Sequence, residues 1–179
     1  MMIEAIESER LRLLLEHYLA VRDGKRMPSR QDIDATCLGP VLSIIWVNEY
    51  EPATGTFRYR LAGEEVNEIF GGSVAGRLLS EFVIGDRFDA TNRNFLKVMA
   101  EQAALLASGP VYRCTDRIAL GERLVLPLSS DGVTADGLIG ATARDVLVDL
   151  QQASMSQQKT TFIPLDDLEQ VAARRAAGG

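Results

Sequence analysis

At 179 residues, with 46% apolar and 25% charged residues, the chain has the size and balance of one globular domain with appendages. A formal net charge of −6 argues against broad binding to nucleic acid or to an anionic membrane, while leaving room for a local basic patch. No apolar run is long enough to span a bilayer, and the first residues carry acids where a secretory signal would be basic, so a cytoplasmic protein is expected. Cys37 and Cys114 lie far apart without metal-ligand spacing, which predicts two reduced, buried thiols and no metal site.

In chain order, residues 3–21 form an amphipathic pattern. Leu11, Leu14, Leu15 and Tyr18 recur at helical spacing, with Ile3 beside the stripe. Such a terminal stripe can cover the domain's own sheet or make a homodimer contact, and both readings stand at this point. His17 is the sole histidine; without converging partners it reads as a partly buried structural residue, not a metal or haem ligand. Residues 27–39 are a connection in which Asp34 can cap a turn over Ile33–Leu38. Val41–Tyr50 is rich in β-branched and aromatic residues and predicts a strand covered on both faces. Pro52-Ala53-Thr54-Gly55 turns the chain, and Phe57–Leu61 returns as the second strand of a hairpin. Beyond Gly63 the apolar spacing becomes helical at Val66, Ile69 and Phe70, ending at Gly71-Gly72. A strand running straight into a short helix, with Gly76 allowing a further turn, predicts one wall of a small cavity.

Leu78, Leu79, Phe82 and Val83 predict another short helix. Gly85-Asp86 then opens the longest one, with Asp86 as N-cap and Asp89 three residues on. Phe88, Phe95, Val98, Met99, Gln102 and Leu106 carry its apolar side as far as Ser108-Gly109-Pro110. Three strands follow, Val111–Leu120, Arg123–Leu128 and Gly137–Ala143, separated by turn signals at Gly121-Glu122 and Ser130-Asp131-Gly132. Two strands, helices, then three strands predict an α+β domain with an antiparallel sheet and helices on one face. Gln151–Thr161 reads as a polar linker or frayed helix end. Pro164-Leu165-Asp166-Asp167 begins a last helix with Leu165, Leu168 and Val171 on its apolar side, before a solvated, mobile tail from Arg174. The expected division is 1–29 for the N-terminal helix and connection, 30–146 for the domain, and 147–179 for the extension.

Four local phrases carry a family resemblance: Tyr59-Arg60-Leu61-Ala62-Gly63, Phe70-Gly71, Ala75-Gly76-Arg77-Leu78, and Leu126-Pro127-Leu128-Ser129 followed by Gly132. Together with the element order they resemble the short, largely stand-alone bacterial PAS family, over roughly Arg30 to Asp145. The resemblance implies a five-stranded antiparallel sheet whose helical side can enclose a small ligand, and sensing or protein-contact work; it names no ligand. A flavin-binding, light-sensing member would carry a cysteine in an Asn-Cys-Arg-Phe-Leu-Gln phrase, and neither Cys37 nor Cys114 has one. A haem-binding member usually has a histidine on the long helix, and residues 86–107 contain none. Flavin and haem are therefore disfavoured. No phosphate-binding Gly-x-x-x-x-Gly-Lys phrase and no kinase or cyclase segment occurs, so the chain reads as an input or adaptor module in signal transduction.

The candidate pocket residues are Trp46, Tyr59, Arg60, Phe70 and Arg77. The first two offer aromatic surface with a polar tip, and Arg60 offers a cation able to grip a carboxylate or phosphate in two bonds. Core packing is the alternative role for Phe70, and an internal ion pair, for instance with Asp116, is the alternative for Arg60. A small acidic metabolite is the ligand class this set implies, with a homodimer and a signalling protein as partners. The competing reading is an α+β small-molecule enzyme using Glu64 or Glu65 as general base and Tyr59 as proton donor. Against it, such acids commonly sit in the first turn of a helix, where the helix dipole favours them.

Overall fold

The computed structural model describes residues 6–113, 116–153 and 157–173. Ile3, Cys114 and the tail from Arg174 lie outside the described residues. Six strands, β1 (Ile45–Glu51), β2 (Thr56–Ala62), β3 (Ala103–Arg113), β4 (Arg117–Leu128), β5 (Gly137–Asp149) and β6 (Lys159–Pro164), form one antiparallel sheet in the order β2-β1-β5-β4-β3-β6. The helices are α1 (Glu9–Arg22), α2 (Glu64–Ile69), α3 (Asp86–Glu101), the short α4 (Leu150–Ala153) and α5 (Leu168–Ala173).

Two apolar clusters divide the sheet into faces. On one, Trp46, Phe57, Tyr59, Leu105, Val125 and Leu138 meet Val66 of α2 and Phe95 and Val98 of α3, the helical side the sequence predicts. On the other, Ile139, Leu124, Leu126 and Ile163 meet α1 and the C-terminal Leu165, Leu168 and Val171. Alternation along each strand produces this split, since successive side chains leave opposite faces of a sheet.

The α1 helix begins at Glu9, later than the pattern predicts, because the Ser8 hydroxyl caps it by accepting from the Leu11 N–H. It ends at Asp23 in a left-handed conformation (φ 43°). Leu11, Leu14, Leu15 and Tyr18 are at most 1% exposed against the sheet, and the Tyr18 hydroxyl donates to the Pro127 carbonyl at 2.7 Å. These four side chains therefore belong to the chain's own core and present no free dimer contact. An aromatic or leucine stripe already packed inside cannot also face a second copy.

Asp34 caps the turn after the first connection, as its position predicts, accepting from the Thr36 N–H at 2.8 Å. The turn is a 3-10 stretch running through Pro40 to Val41, so β1 starts at Ile45 and not at Val41. Cys37 lies on this stretch and is exposed, contrary to the expected buried thiol.

Three further differences share a cause. The long helix stops at Glu101, with Gln102 left-handed at φ 47°, and Ala103–Ala107 form buried β-strand between β4 and β6. Ala-Ala-Leu-Leu-Ala favours helix by propensity, but pairing on both sides overrides it. Gly121, read as a turn, lies inside β4 at a bulge, where a Cβ would overlap the backbone of Ala143. Instead β3 runs on to Arg113 and β4 begins at Arg117. The stretch read as a polar linker contains the start of β6, which pairs with β3 and makes the sheet six-stranded instead of five-stranded. Asp86 is the first residue of α3, the N-cap position falling to Gly85 at φ 63°.

Candidate ligand cavity

Between α2, α3 and the sheet lies a cavity of about 370 Å³. Two glycines set its shape. Gly63 donates to the Ile45 carbonyl at 2.8 Å, and a Cβ there would overlap the Leu42 and Ser43 carbonyls, so only glycine lets α2 start this close to β1. That placement carries Val66 and Phe70 over the sheet. Gly140 lies under Trp46: a Cβ would stand 2.6 Å from the indole Cε2 and Cη2, and closer still to Cζ2. The ring therefore rests directly on the β5 backbone and lines the cavity.

A continuous aromatic surface follows. Trp46 packs against Phe95 (centroids 5.1 Å apart) and Tyr59 (5.6 Å), Tyr59 against Phe82 (5.0 Å), and Phe70 against Phe82 (4.9 Å) and Tyr112 (5.8 Å). These are ordinary tilted and edge-to-face separations, which rigidify the wall. Burial pushes the Tyr59 phenol up, reinforced by Tyr112 and opposed by Arg123 and the Asn48 amide. Tyr59 is thus a neutral hydroxyl across the physiological range. Asn48, its cross-strand neighbour, is fully buried and neither amide atom closes a hydrogen bond of good geometry among the described residues.

The polar character of the cavity comes from arginines. Arg123 of β4 donates from Nε to Thr142 Oγ1 at 2.9 Å and from Nη2 to the Val111 carbonyl at 2.6 Å, and its guanidinium stands 4.9 Å from the centre of the Tyr112 ring. Arg87 and Arg113 line the cavity as exposed residues and so form its rim. No aspartate or glutamate among the described residues lines it.

Of the five sequence-derived pocket residues, Trp46, Tyr59 and Phe70 are brought together here. Arg60 is not. A register shift between Val47 and Asn48 leaves Arg60 as the extra residue of β2, with Asn48 opposite Tyr59 and Val47 opposite Leu61. Its side chain is 41% exposed and binds Glu49 Oε2 through Nε at 2.7 Å, so its ion-pair partner is Glu49 and not Asp116. Arg77 also lies outside the cavity lining, donating to the Glu81 carbonyl at 2.7 Å with its guanidinium 5.4 Å from the Phe82 ring centre. The sequence reading missed Arg123 and Phe95. A signal for Arg123 existed, since it opens the otherwise apolar run Leu124–Leu128 on a strand with both faces covered.

The two acids proposed as a general base do not line the cavity either. Glu64 is exposed. Glu65 is tied to Ser43 Oγ (2.8 Å), Arg10 (3.0 Å) and Arg144 (3.7 Å); burial works against its charge, but these partners outweigh burial and hold the carboxyl below its usual value. His17 is half-buried and accepts from the Asp34 N–H at 3.1 Å, with burial lowering its pKa against the pull of Asp34. No helix among the described residues is long and apolar enough to cross a membrane.

A PAS domain family model matches residues 6–143. Among solved structures, the PAS domain of BvgS from Bordetella pertussis is similar at 19% identity, over 60% of this chain and 79% of that one, with a TM-score of 0.45. No curated protein matches the chain. The family match takes in most of the chain, including Trp46, Tyr59, Arg123 and Thr142, and by it the chain belongs to the PAS domain family.

Proposed function

We propose that this PAS domain is a cytoplasmic sensory or regulatory module that holds a small molecule in the aromatic cavity and acts by contact with a protein partner. The observation that carries the reading is the cavity itself. At about 370 Å³ it lies within the usual size range of ligand sites, it is walled mainly by aromatic and aliphatic side chains, and it contains one anchored guanidinium. Trp46, Tyr59 and Phe70, with Phe95 and Arg123, are the proposed binding residues. Binding without turnover is the role assigned to it, since Glu64 and Glu65 stand elsewhere. Self-association belongs to the same reading but must use surface other than the buried α1 stripe.

Native mass spectrometry of gently purified protein tests this. A retained small molecule at one per chain supports sensing, and its conversion on incubation would sink the non-enzymatic reading. Trp46 is the only tryptophan, so its emission reports directly on occupancy of the cavity. No retained mass, together with no change in Trp46 emission across a metabolite panel, would refute the cavity as a ligand site.

A further inference from the structure

We propose that the ligand is a small organic monoanion, an apolar ring-sized body bearing one carboxylate, and that Arg123 is the residue that reads its charge. This rests on the cavity being a ligand site. Among the described residues every charged side chain lining it is an arginine (Arg87, Arg113 and Arg123), on a chain whose net charge is −6. Two cations at the rim and one within, with no lining acid among the described residues, make a local positive potential that the rest of the molecule opposes.

Arg123 differs from the two rim arginines because its orientation is fixed. Thr142 Oγ1 and the Val111 carbonyl hold Nε and Nη2, the Tyr112 ring flanks the guanidinium, and Nη1 makes no hydrogen bond among the described residues. A half-buried guanidinium without a carboxylate partner among the described residues keeps an unmet demand for negative charge, which a ligand carboxylate meets. Arg87 and Arg113 are exposed and hydrated, so they draw an anion toward the opening without fixing it. The remaining lining supplies the other half of the ligand's chemistry. Trp46, Tyr59 and Phe95 present ring surface that matches a flat apolar body, and the volume equals that of about a dozen water molecules. One anchored cation in an aromatic chamber suits one charge on one ring. Dicarboxylates and sugar acids would leave polar groups unpaired against Trp46 and Phe95.

The experiment is titration of Trp46 emission with small aromatic and aliphatic monocarboxylates, phenylacetate among them, each paired with its neutral amide, and with inorganic phosphate as charge without a body. The expected result is saturable binding of a carboxylate at least tenfold tighter than its amide, no response to phosphate, and an affinity that falls with added salt. Arg123→Met should lower carboxylate affinity at least tenfold and shrink the gap between carboxylate and amide. The carboxylate–amide comparison is made in the unaltered protein, so it stands even if Arg123→Met fails to fold. Equal affinity for acid and amide would overturn the anion proposal while leaving the cavity reading intact. No response to any probe, with no mass retained in native spectrometry, would overturn both.

Discussion

Gly140→Ala is the sharpest probe of how the cavity is built. The new Cβ would stand 2.6 Å from two indole atoms of Trp46 and closer to a third. Carbon atoms rest at about 3.5–4.0 Å, so the ring has to lift by about 1.5 Å to clear the nearest of the three. It is a rigid bicycle held between Phe95 and Tyr59, and the direction left open is into the cavity. Overpacking of this kind costs about 1–3 kcal/mol. Replacing an interior strand glycine by alanine returns about 0.5–1 kcal/mol through lost backbone freedom in the unfolded chain. The net expectation is a loss of about 1–2 kcal/mol, which at a urea slope of about 2 kcal/mol/M lowers the midpoint by about 0.5–1 M. Urea unfolding followed in parallel by Trp46 emission and by far-UV circular dichroism measures it. The folded-state emission should also shift, and any retained small molecule should be lost because the chamber has shrunk. A midpoint within about 0.2 M of the parent, with unchanged emission, would refute the placement of Trp46 on the Gly140 backbone.

Leu14→Ala should destabilise by about 2–5 kcal/mol, and deletion of residues 1–21 should unfold the chain instead of releasing a folded monomer; a folded, cooperative truncation product in circular dichroism would contradict the burial of the α1 stripe. Tyr18→Phe, which strands the Pro127 carbonyl in the core, should cost about 1–3 kcal/mol in the same urea assay, and a neutral result would mean that carbonyl finds water. Arg60→Met should change stability by no more than about 1 kcal/mol and leave ligand binding untouched, because its pair with Glu49 is a surface one; a loss of several kcal/mol would show the charge to be buried. Asp131 is depressed to about 2 from its ordinary 3.8 by the Thr134 and Val133 N–H groups and the Ser129 hydroxyl. Its contribution is therefore complete above about pH 4 and lost as pH falls toward 2, a dependence that Asp131→Asn should remove from the acid limb of the stability curve.

How far the fold was legible depended on whether local pattern and tertiary pairing agreed. They agree at the β1–β2 hairpin, where aromatic alternation and the Pro52–Gly55 turn both point to paired strands, and at the α1 stripe, whose helical spacing needs no partner to be recognised. They disagree at Ala103–Ala107. Those residues extend the apolar period of α3 in sequence, yet Gln102 turns left-handed and β4 and β6 claim them from either side. The partner that decides the matter, β6, is Lys159–Pro164, whose Thr, Phe and Ile residues do suit a strand, but the polar run of glutamines and serines just before it masks that signal. Gly121 illustrates the same limit. A glycine marks either a turn or a close approach, and only the position of Ala143 across the sheet tells which.

The cavity poses a harder version of that problem, because its chemistry depends on which face each strand residue takes. Alternation alone makes Tyr59 and Arg60 exclusive alternatives on β2, and it favours neither. The register shift at Val47/Asn48 resolves this: it places Tyr59 beside Asn48 on the helical face and expels Arg60 toward Glu49. A bulge is invisible in a single strand's pattern, since the inserted residue needs a partner strand to be extra against. The cation the pocket does contain comes from β4, about sixty residues later in the chain, and reaches Tyr59 only through the order β2-β1-β5-β4. Its anchors are equally remote, Thr142 on β5 and the Val111 carbonyl on β3. The two arginines read from the sequence, Arg60 and Arg77, thus lie outside the cavity, and the anchored one that lines it sits on another strand. Arg123 is the arginine that its two neighbouring strands hold still.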